Sequence, residues 1–253
     1  MPELKETRGF QYLENSRFDR TSIQNLQRPA IARVETFKRY SPITSIPLPR
    51  TWSLDEERIT LLLQNRRSLR KYSKEPLNLE HLAFMLWASQ GITGQAGNYF
   101  FRATPSAGAL YPVETYLSAH SIEGLAAGLY HFDVEHFALD RLTDQDKAEE
   151  VAQACLNQKF ISQAAVVFLW TGVFRRAMSK YGDRGMRYIL LDAGQICQSV
   201  MIAAEAVACG GCPVGAFYDS ELNQLLQIDG EEESILYAAS VGRKLEPGID
   251  HRP

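Results

Sequence analysis

Residues 189–211, ILLDAGQICQSVMIAAEAVACGG, decide how the rest of the chain is arranged. This is the longest strongly apolar stretch, yet Asp192, Gln195, Gln198 and Glu205 interrupt it. Polar groups at that density are costly in hydrocarbon, so the stretch reads as a buried helix of a soluble protein. The pattern predicts a long central helix from Tyr188 to Cys209, ended by Gly210-Gly211.

Working outward, a short helix is expected near Ser220 to Leu226 and a strand at Ile235 to Val241. On the other side, Ala164 to Thr171 reads as a buried strand and Asp144 to Leu156 as a helix. Gly128 to Phe132 and Phe137 to Leu142 form an expected hairpin around Asp133 to His136, and Val113 to Ala119 an expected strand. A helix is predicted from Asn78 to a stop at Gly91. Another starts at the capping box Ser53-Leu-Asp-Glu56 and runs to about Asn65. Thr93 to Gly97 and Thr104 to Ala109 read as loops, and Lys180-Tyr181 falls in a turn between Phe174 and Gly182. Helices and strands mix without strict alternation, which predicts an α+β fold.

Residues 1–50 are proline-spaced, with Pro29, Pro42, Pro47 and Pro49, and cannot form a core of their own. Phe10, Tyr12, Phe18, Phe37 and Tyr40 suit a segment that wraps the core or a partner subunit. Residues 51–253 then form one domain. The chain has 253 residues, 45% hydrophobic and 23% charged, which permits a sizeable core. A net charge of -3 gives no reason to expect nucleic acid or a membrane as partner. The polar start, MPELKETRGFQYLEN, lacks a signal-peptide core. With it, Cys155, Cys197, Cys209 and Cys212 read as reduced cytoplasmic thiols. Cys209 and Cys212 have C-x-x-C spacing, which admits a dithiol or zinc reading. Further ligands at matching spacing are missing, so packed thiols at a helix end are the simpler reading, with no metal. Trp52, Trp87 and Trp170 read as core or interface residues. Glycine-rich dinucleotide and P-loop motifs, H-E-x-x-H and G-x-S-x-G are absent from the sequence.

The densest chemical feature is Asn65-Arg66-Arg67-Ser68-Leu69-Arg70-Lys71-Tyr72. Guanidinium groups bind phosphate oxygens in bidentate fashion, and Ser68 adds a hydroxyl. Cations at a helix end also simply complement its dipole. A second feature, Arg102-Ala-Thr-Pro105-Ser106-Ala107-Gly108-Ala109-Leu110-Tyr111-Pro112, has small residues that let backbone approach a flat ring, the ordinary alternative being a loop before a strand.

Four motifs in this order, RRSLRKY, PSAGALYPVE, KYGDRGMRYILLDAGQICQS and PVGAF, resemble the nitroreductase-like flavoprotein superfamily. More closely they resemble its SagB-type dehydrogenase branch, the azoline oxidases among them. The resemblance spans roughly Leu54 to Lys244. It implies an FMN-binding α+β fold, a central mostly antiparallel sheet flanked by helices, in an intertwined homodimer with FMN at the subunit interface. It implies that Arg66, Arg67, Ser68 and Arg70 grip the flavin phosphate and ribityl chain. Pro105, Ser106, Ala107, Gly108 and Ala109 of the other subunit would lie near the isoalloxazine. Val214, Gly215 and Ala216 would offer backbone donors to its reactive edge, and Arg243 would complete the phosphate site. Ala109 and Tyr111 replace the Asn and Gln of many simple nitroreductases, which favours the SagB-type branch.

The same resemblance places Lys180 and Tyr181 where azoline oxidases carry a catalytic Lys-Tyr pair. Converting an azoline to an azole removes a proton from carbon and a hydride to flavin N5. A lysine acting as base at neutral pH needs a depressed pKa, which a dry flavin pocket could supply. The ordinary alternative is a surface dipeptide. Asp183, Arg184 and Arg187 read as a structural ion network, and Asp192 with Gln195 as a satisfied buried polar pair, the alternative being contact with flavin or the opposite subunit. The expected activity is oxidation of a peptide-like or small-molecule heterocycle, with biosynthetic partner proteins as a further expectation. The alternatives are an NAD(P)H-dependent nitro or quinone reductase and a non-catalytic flavin-binding subunit.

Overall fold

The strand Val166–Val173, VVFLWTGV, is buried along almost its whole length. A strand with two apolar faces has to be covered on both. The computed structural model, which describes residues 3–16, 20–21, 57–97, 99–182 and 184–245, shows how this is met. The strands β3 (Val113–Ala119), β4 (Gly128–Asp133), β5 (Ala138–Thr143), β6 (Val166–Val173), β7 (Cys209–Val214) and β8 (Glu233–Arg243) form one sheet. Its order is β5-β4-β3-β6-β8-β7, and every pairing is antiparallel. Strands β1 (Ile92–Ala96) and β2 (Tyr99–Arg102) make a separate antiparallel hairpin.

Side chains alternate across a strand, so β6 divides between two cores. Val166, Phe168 and Trp170 join a core built with α1 (Arg8–Ser16), α3 (Leu79–Gln90), α5 (Phe174–Tyr181) and α6 (Arg184–Ala206). Val167 and Leu169 join the other, built with α4 (Ala148–Ala154) and α7 (Asp219–Leu225). Helix α2 (Glu57–Asn65) precedes α3. The stripe Met186, Ile189, Ala193, Ile196, Val200 and Ala204 recurs at steps of three and four and docks α6 on the sheet. Asn78 caps α3 by accepting from the Glu80 amide at 2.7 Å, and Gly91 ends that helix.

Four expectations need correction. Residues 93–96 are not a loop but most of β1, whose sequence ITGQA is too polar to show the strand period, and only Gly97 lies in the turn. Lys180 and Tyr181 lie on α5, not in a turn; Phe174, Ala177 and Met178 anchor that short basic helix in the core. The long helix starts earlier, at Arg184, and stops at Ala206. Gly210 and Gly211 are not its stop but positions in edge strand β7. A Cβ on Gly211 would lie 2.5 Å from the Ser240 carbonyl oxygen, so glycine here permits close approach of backbone.

At the N-terminus, Phe10 and Leu13 are buried, and the Phe10 ring meets Phe174 edge-on at 6.3 Å. Tyr12, expected to dock, is exposed. Phe18, Phe37, Tyr40, Trp52, the Ser53 cap and Asp183 lie outside the described residues. Trp170 is fully buried, whereas Trp87 is exposed. Cys209 packs in the core against α6, while Cys212 borders Ser68 and Arg70. Burial pushes the Cys209 thiol up to about 11.

Strands β3 and β4 share an ionic contact. His131 Nε2 is 2.9 Å from the Glu114 carboxylate, which also pairs with Arg176. Its hydrogen bond to Glu114 raises His131 above the usual histidine range. The stabilisation is therefore full below pH 6.5 and is lost as pH rises through the folded-state pKa. We expect the unfolding free energy from denaturant melts to fall by about 1 kcal/mol or less across that window, and His131→Gln to flatten the profile. An unchanged profile in the variant would remove His131 as its source.

Candidate active site

Residues 102–112 pass from the β1–β2 hairpin into β3, and three of them adopt left-handed backbone. Gly108 has φ 66°, Ala109 53° and Tyr111 45°. For Ala109 and Tyr111 that conformation costs about 1–2 kcal/mol each. Hydrogen bonds hold it. Ser106 Oγ donates to Asp192 Oδ2 at 2.6 Å and accepts the Tyr111 amide at 3.0 Å. The Ala109 amide donates to the Ser106 carbonyl at 3.0 Å. The Tyr111 hydroxyl accepts the Arg102 amide at 3.0 Å, and its carbonyl accepts Arg176 Nη1 at 3.0 Å. The Arg102 guanidinium lies 4.5 Å from the centre of the Tyr111 ring and donates to Gln90 Oε1 at 2.6 Å. Burial lowers the pKa of this guanidinium from its usual value.

This loop meets α5. A Cβ placed on Gly108 would lie 2.5 Å from the Tyr181 hydroxyl and 2.9 Å from Lys180 Nζ. The amine and the phenol thus converge on one glycine, more than seventy positions earlier in the chain. Lys180 Nζ sits 5.3 Å from the centre of the Tyr181 ring, and Tyr181 packs edge-on against Tyr188 at 5.1 Å. Lys180 is exposed in the single chain, so the dry pocket expected around it is not formed by this chain alone.

The arginine run occupies a different place. Beyond α2 the chain runs beside β7: Ser68 bridges Gly211, and the Leu69 amide donates to the Gly211 carbonyl at 2.9 Å. Arg67 turns back on the helix end, donating to the Gln64 and Arg66 carbonyls at 2.8 and 2.9 Å. For Arg67 the ordinary helix-end role therefore applies. Arg66 is half-buried, and Arg70 lies 5.8 Å from the centre of the Phe160 ring. Among the described residues, no carboxylate lies within ion-pair distance of Arg66, Arg67 or Arg70. Arg243 pairs with Glu75 at 2.9 Å. Val214 is buried, Gly215 is exposed, and the Ala216 carbonyl accepts from Gln158 at 3.4 Å. Pro105 borders an open groove with Leu190, Leu191 and Gly194 of α6.

The two groups stand far apart within one chain. Gly211 pairs with Val241, and Val241 with Val166 at the start of β6, whereas α5 follows Val173 at its end. Seven residues of strand correspond to about 23 Å. Loop 105–109 therefore joins Lys180 and Tyr181, but not the arginine run, on the same chain.

Arg176 was not picked out by the sequence, Arg102 was read only as the first residue of a small-residue cluster, and Asp192 mainly as half of a buried polar pair. Asp192 does not pair with Gln195, which is exposed; its partner is Ser106. Its phase with Ile189 and Ile196 is the signal that a buried carboxylate needs a donor from elsewhere. We expect Gly108→Ala to lower stability by about 1 kcal/mol, since it puts a side chain on left-handed backbone. It should also displace the Lys180–Tyr181 pair. Denaturant melts and turnover check both, and an undiminished melt with full turnover would contradict this geometry.

Comparison with known proteins follows the same outline. Residues 63–243 match the pattern described as "Nitroreductase family". The chain is similar to MJ1384 of Methanocaldococcus jannaschii, a nitroreductase by name, with 36% identity over 193 residues, 76% of this chain and 94% of that one. It is also similar to the trifolitoxin-processing protein TfxB of Rhizobium leguminosarum bv. trifolii, with 29% identity over 152 residues, 58% of this chain and 41% of TfxB. Among solved structures, the fold matches a chain of the Escherichia coli microcin synthetase McbBCD complex with truncated pro-MccB17 bound. That match has a TM-score of 0.71 at 16% identity and covers 93% of this chain and 91% of that one. The NADPH:FMN oxidoreductase of Vibrio harveyi, complexed with NAD+, matches with a TM-score of 0.54 at 19% identity, over 77% and 72%. A left-handed serine loop, an antiparallel sheet covered on both faces and a match over most of the chain lead to one conclusion: this protein belongs to the nitroreductase family of oxidoreductases.

Proposed function

We propose that this chain is an FMN-dependent dehydrogenase of the SagB type that oxidises a peptide-like heterocycle, azoline to azole. The observation that carries this reading is the convergence of Lys180 Nζ and Tyr181 Oη on Gly108. A base and a hydroxyl side by side on a small-residue loop suit removal of a proton from carbon next to a flat ring. The names of TfxB, a toxin-processing protein, and of the microcin synthetase bound to a propeptide support a peptide substrate.

The residues present fit FMN in two places. Arg66, Ser68 and Arg70 offer cationic and hydroxyl groups for a phosphate, with no competing carboxylate among the described residues. Arg67 and Arg243 are already engaged, and would have to be released to join them. Loop 105–109 offers backbone without bulky side chains, and Val214 ends the edge strand with Gly215 and Ala216 after it. The separation of the two groups favours a homodimer in which one copy supplies the phosphate grip and the other supplies the loop. Exposed Ile59, Leu61 and Leu63 on α2, Phe100 and Phe101 on β2, and Leu190 and Leu191 on α6 provide apolar surface for such an interface.

When bound, FMN would supply a two-electron acceptor for the hydride. Lys180 would take the proton from the ring carbon through its neutral amine. Tyr181 would hold the reacting ring and the amine in register by hydrogen bonding. A partner copy closing over Lys180 would exclude the water that reaches it in the single chain.

The likeness to MJ1384 favours a second reading, a nitro or quinone reductase reduced by NAD(P)H. Anaerobic mixing with NADPH separates the two: fast bleaching of the flavin supports the second, and its absence counts against it.

The first reading predicts yellow protein that releases FMN, and azole formation from an azoline peptide. Lys180→Ala with Tyr181→Phe should cut that rate by about 100-fold or more while flavin stays bound. Azole formation at the original rate in the double variant would sink the proposal. Arg70→Ala should weaken FMN binding by about tenfold, read by flavin fluorescence.

A further inference from the structure

Asp192 is 5% exposed on the sheet-facing side of α6. It accepts the Ser106 hydroxyl at 2.6 Å and the Ala107 amide. A serine hydroxyl has one proton to donate, and here it is donated in the hydrogen bond to Asp192. The same oxygen accepts the Tyr111 amide, so Ser106 ties the start of the loop to its far end. Between these ties lie Gly108 and Ala109, both left-handed, with Gly108 against Lys180 and Tyr181.

We propose that Asp192 is a positioning residue. Through Ser106 it holds loop 106–111 in the conformation that seats Gly108 against Lys180 and Tyr181, and the Ser106 hydroxyl is a clamp rather than a cofactor ligand. This rests on the reading of loop 105–109 as part of the flavin site. The bonds from Ser106 and the Ala107 amide are charge-assisted, the strong class of hydrogen bond, and they offset left-handed backbone that Ala109 and Tyr111 would otherwise leave. Burial pushes the Asp192 carboxyl above the usual carboxylate range, against the pull of these two bonds. The ionised form is thus less favoured in the fold than in the unfolded chain.

A double-mutant cycle tests this. Asp192→Asn, Ser106→Ala and the double variant of the full chain are compared in two ways. One is amide hydrogen exchange at Ala107 and Tyr111, and the other is FMN release from the holoprotein, followed by flavin fluorescence. Each single variant should speed exchange and release by about tenfold, the double should do no more than either single, and Ser106→Thr should restore both. Effects that multiply in the double variant overturn the proposal. So does faster release in Ser106→Ala alone, which would make the hydroxyl a direct ligand. A lowered thermal midpoint with unchanged exchange and release would leave Asp192 a packing residue and also overturns it. Azole formation is not among the readouts, so the substrate reading and the clamp fail separately.

Discussion

Burial of β6 on both faces is the constraint from which the rest of the architecture follows. Val166, Phe168 and Trp170 demand one helical layer, and Val167 and Leu169 demand another. Because β6 lies between β3 and β8, the residues before β3 and after β6 emerge at the same end of the sheet. Val113 pairs with Gly172, so the serine loop and α5 become neighbours although some sixty residues separate them. The meeting of Gly108 with Lys180 and Tyr181 is a consequence of that pairing.

The same end of the sheet carries a concentration of buried polar groups. Asp192, Arg102 and Glu114 are each wholly or largely withdrawn from water, and each is matched by a specific donor or acceptor. For Glu114, burial pushes the carboxyl up, but His131 and Arg176 together outweigh it and hold it low. Buried polar networks of this kind are costly unless complete, and they fix a single loop conformation when they are. Left-handed Ala109 and Tyr111 show what that fixing opposes. Strain of this kind concentrates at functional sites, where a scaffold over-determines it.

Much of this could be read from the sequence because the relevant signals were local and strong. The hairpin around residues 133–136, strand β3 and the capped helix α3 follow from turn chemistry, alternation and Asn78. What was missed had weak or competing local signals. β7 hides in Cys209-Gly-Gly-Cys212-Pro213, whose glycines imitate a helix stop but serve the close approach of Ser240. α5 is short and basic, so only its packing against α6 and the sheet reveals it. Of the site, the arginine run, the serine loop and the Lys-Tyr pair were legible as motifs. Their grouping was not, since the loop joins Lys180 and Tyr181 while the arginines lie along the far edge.

By itself the sequence determined the buried central strand, the amphipathic long helix and the family motifs, because periodicity and composition act over neighbouring residues. It also marked the arginine run and the Lys-Tyr pair as candidate groups for phosphate binding and proton transfer. Only the tertiary structure decided that Asp192 serves Ser106 rather than Gln195, that Arg67 caps its own helix, and that Gly108 lies beneath an amine and a phenol. Those outcomes depend on strand pairing and register, which bring together residues far apart in the chain and which no local pattern encodes.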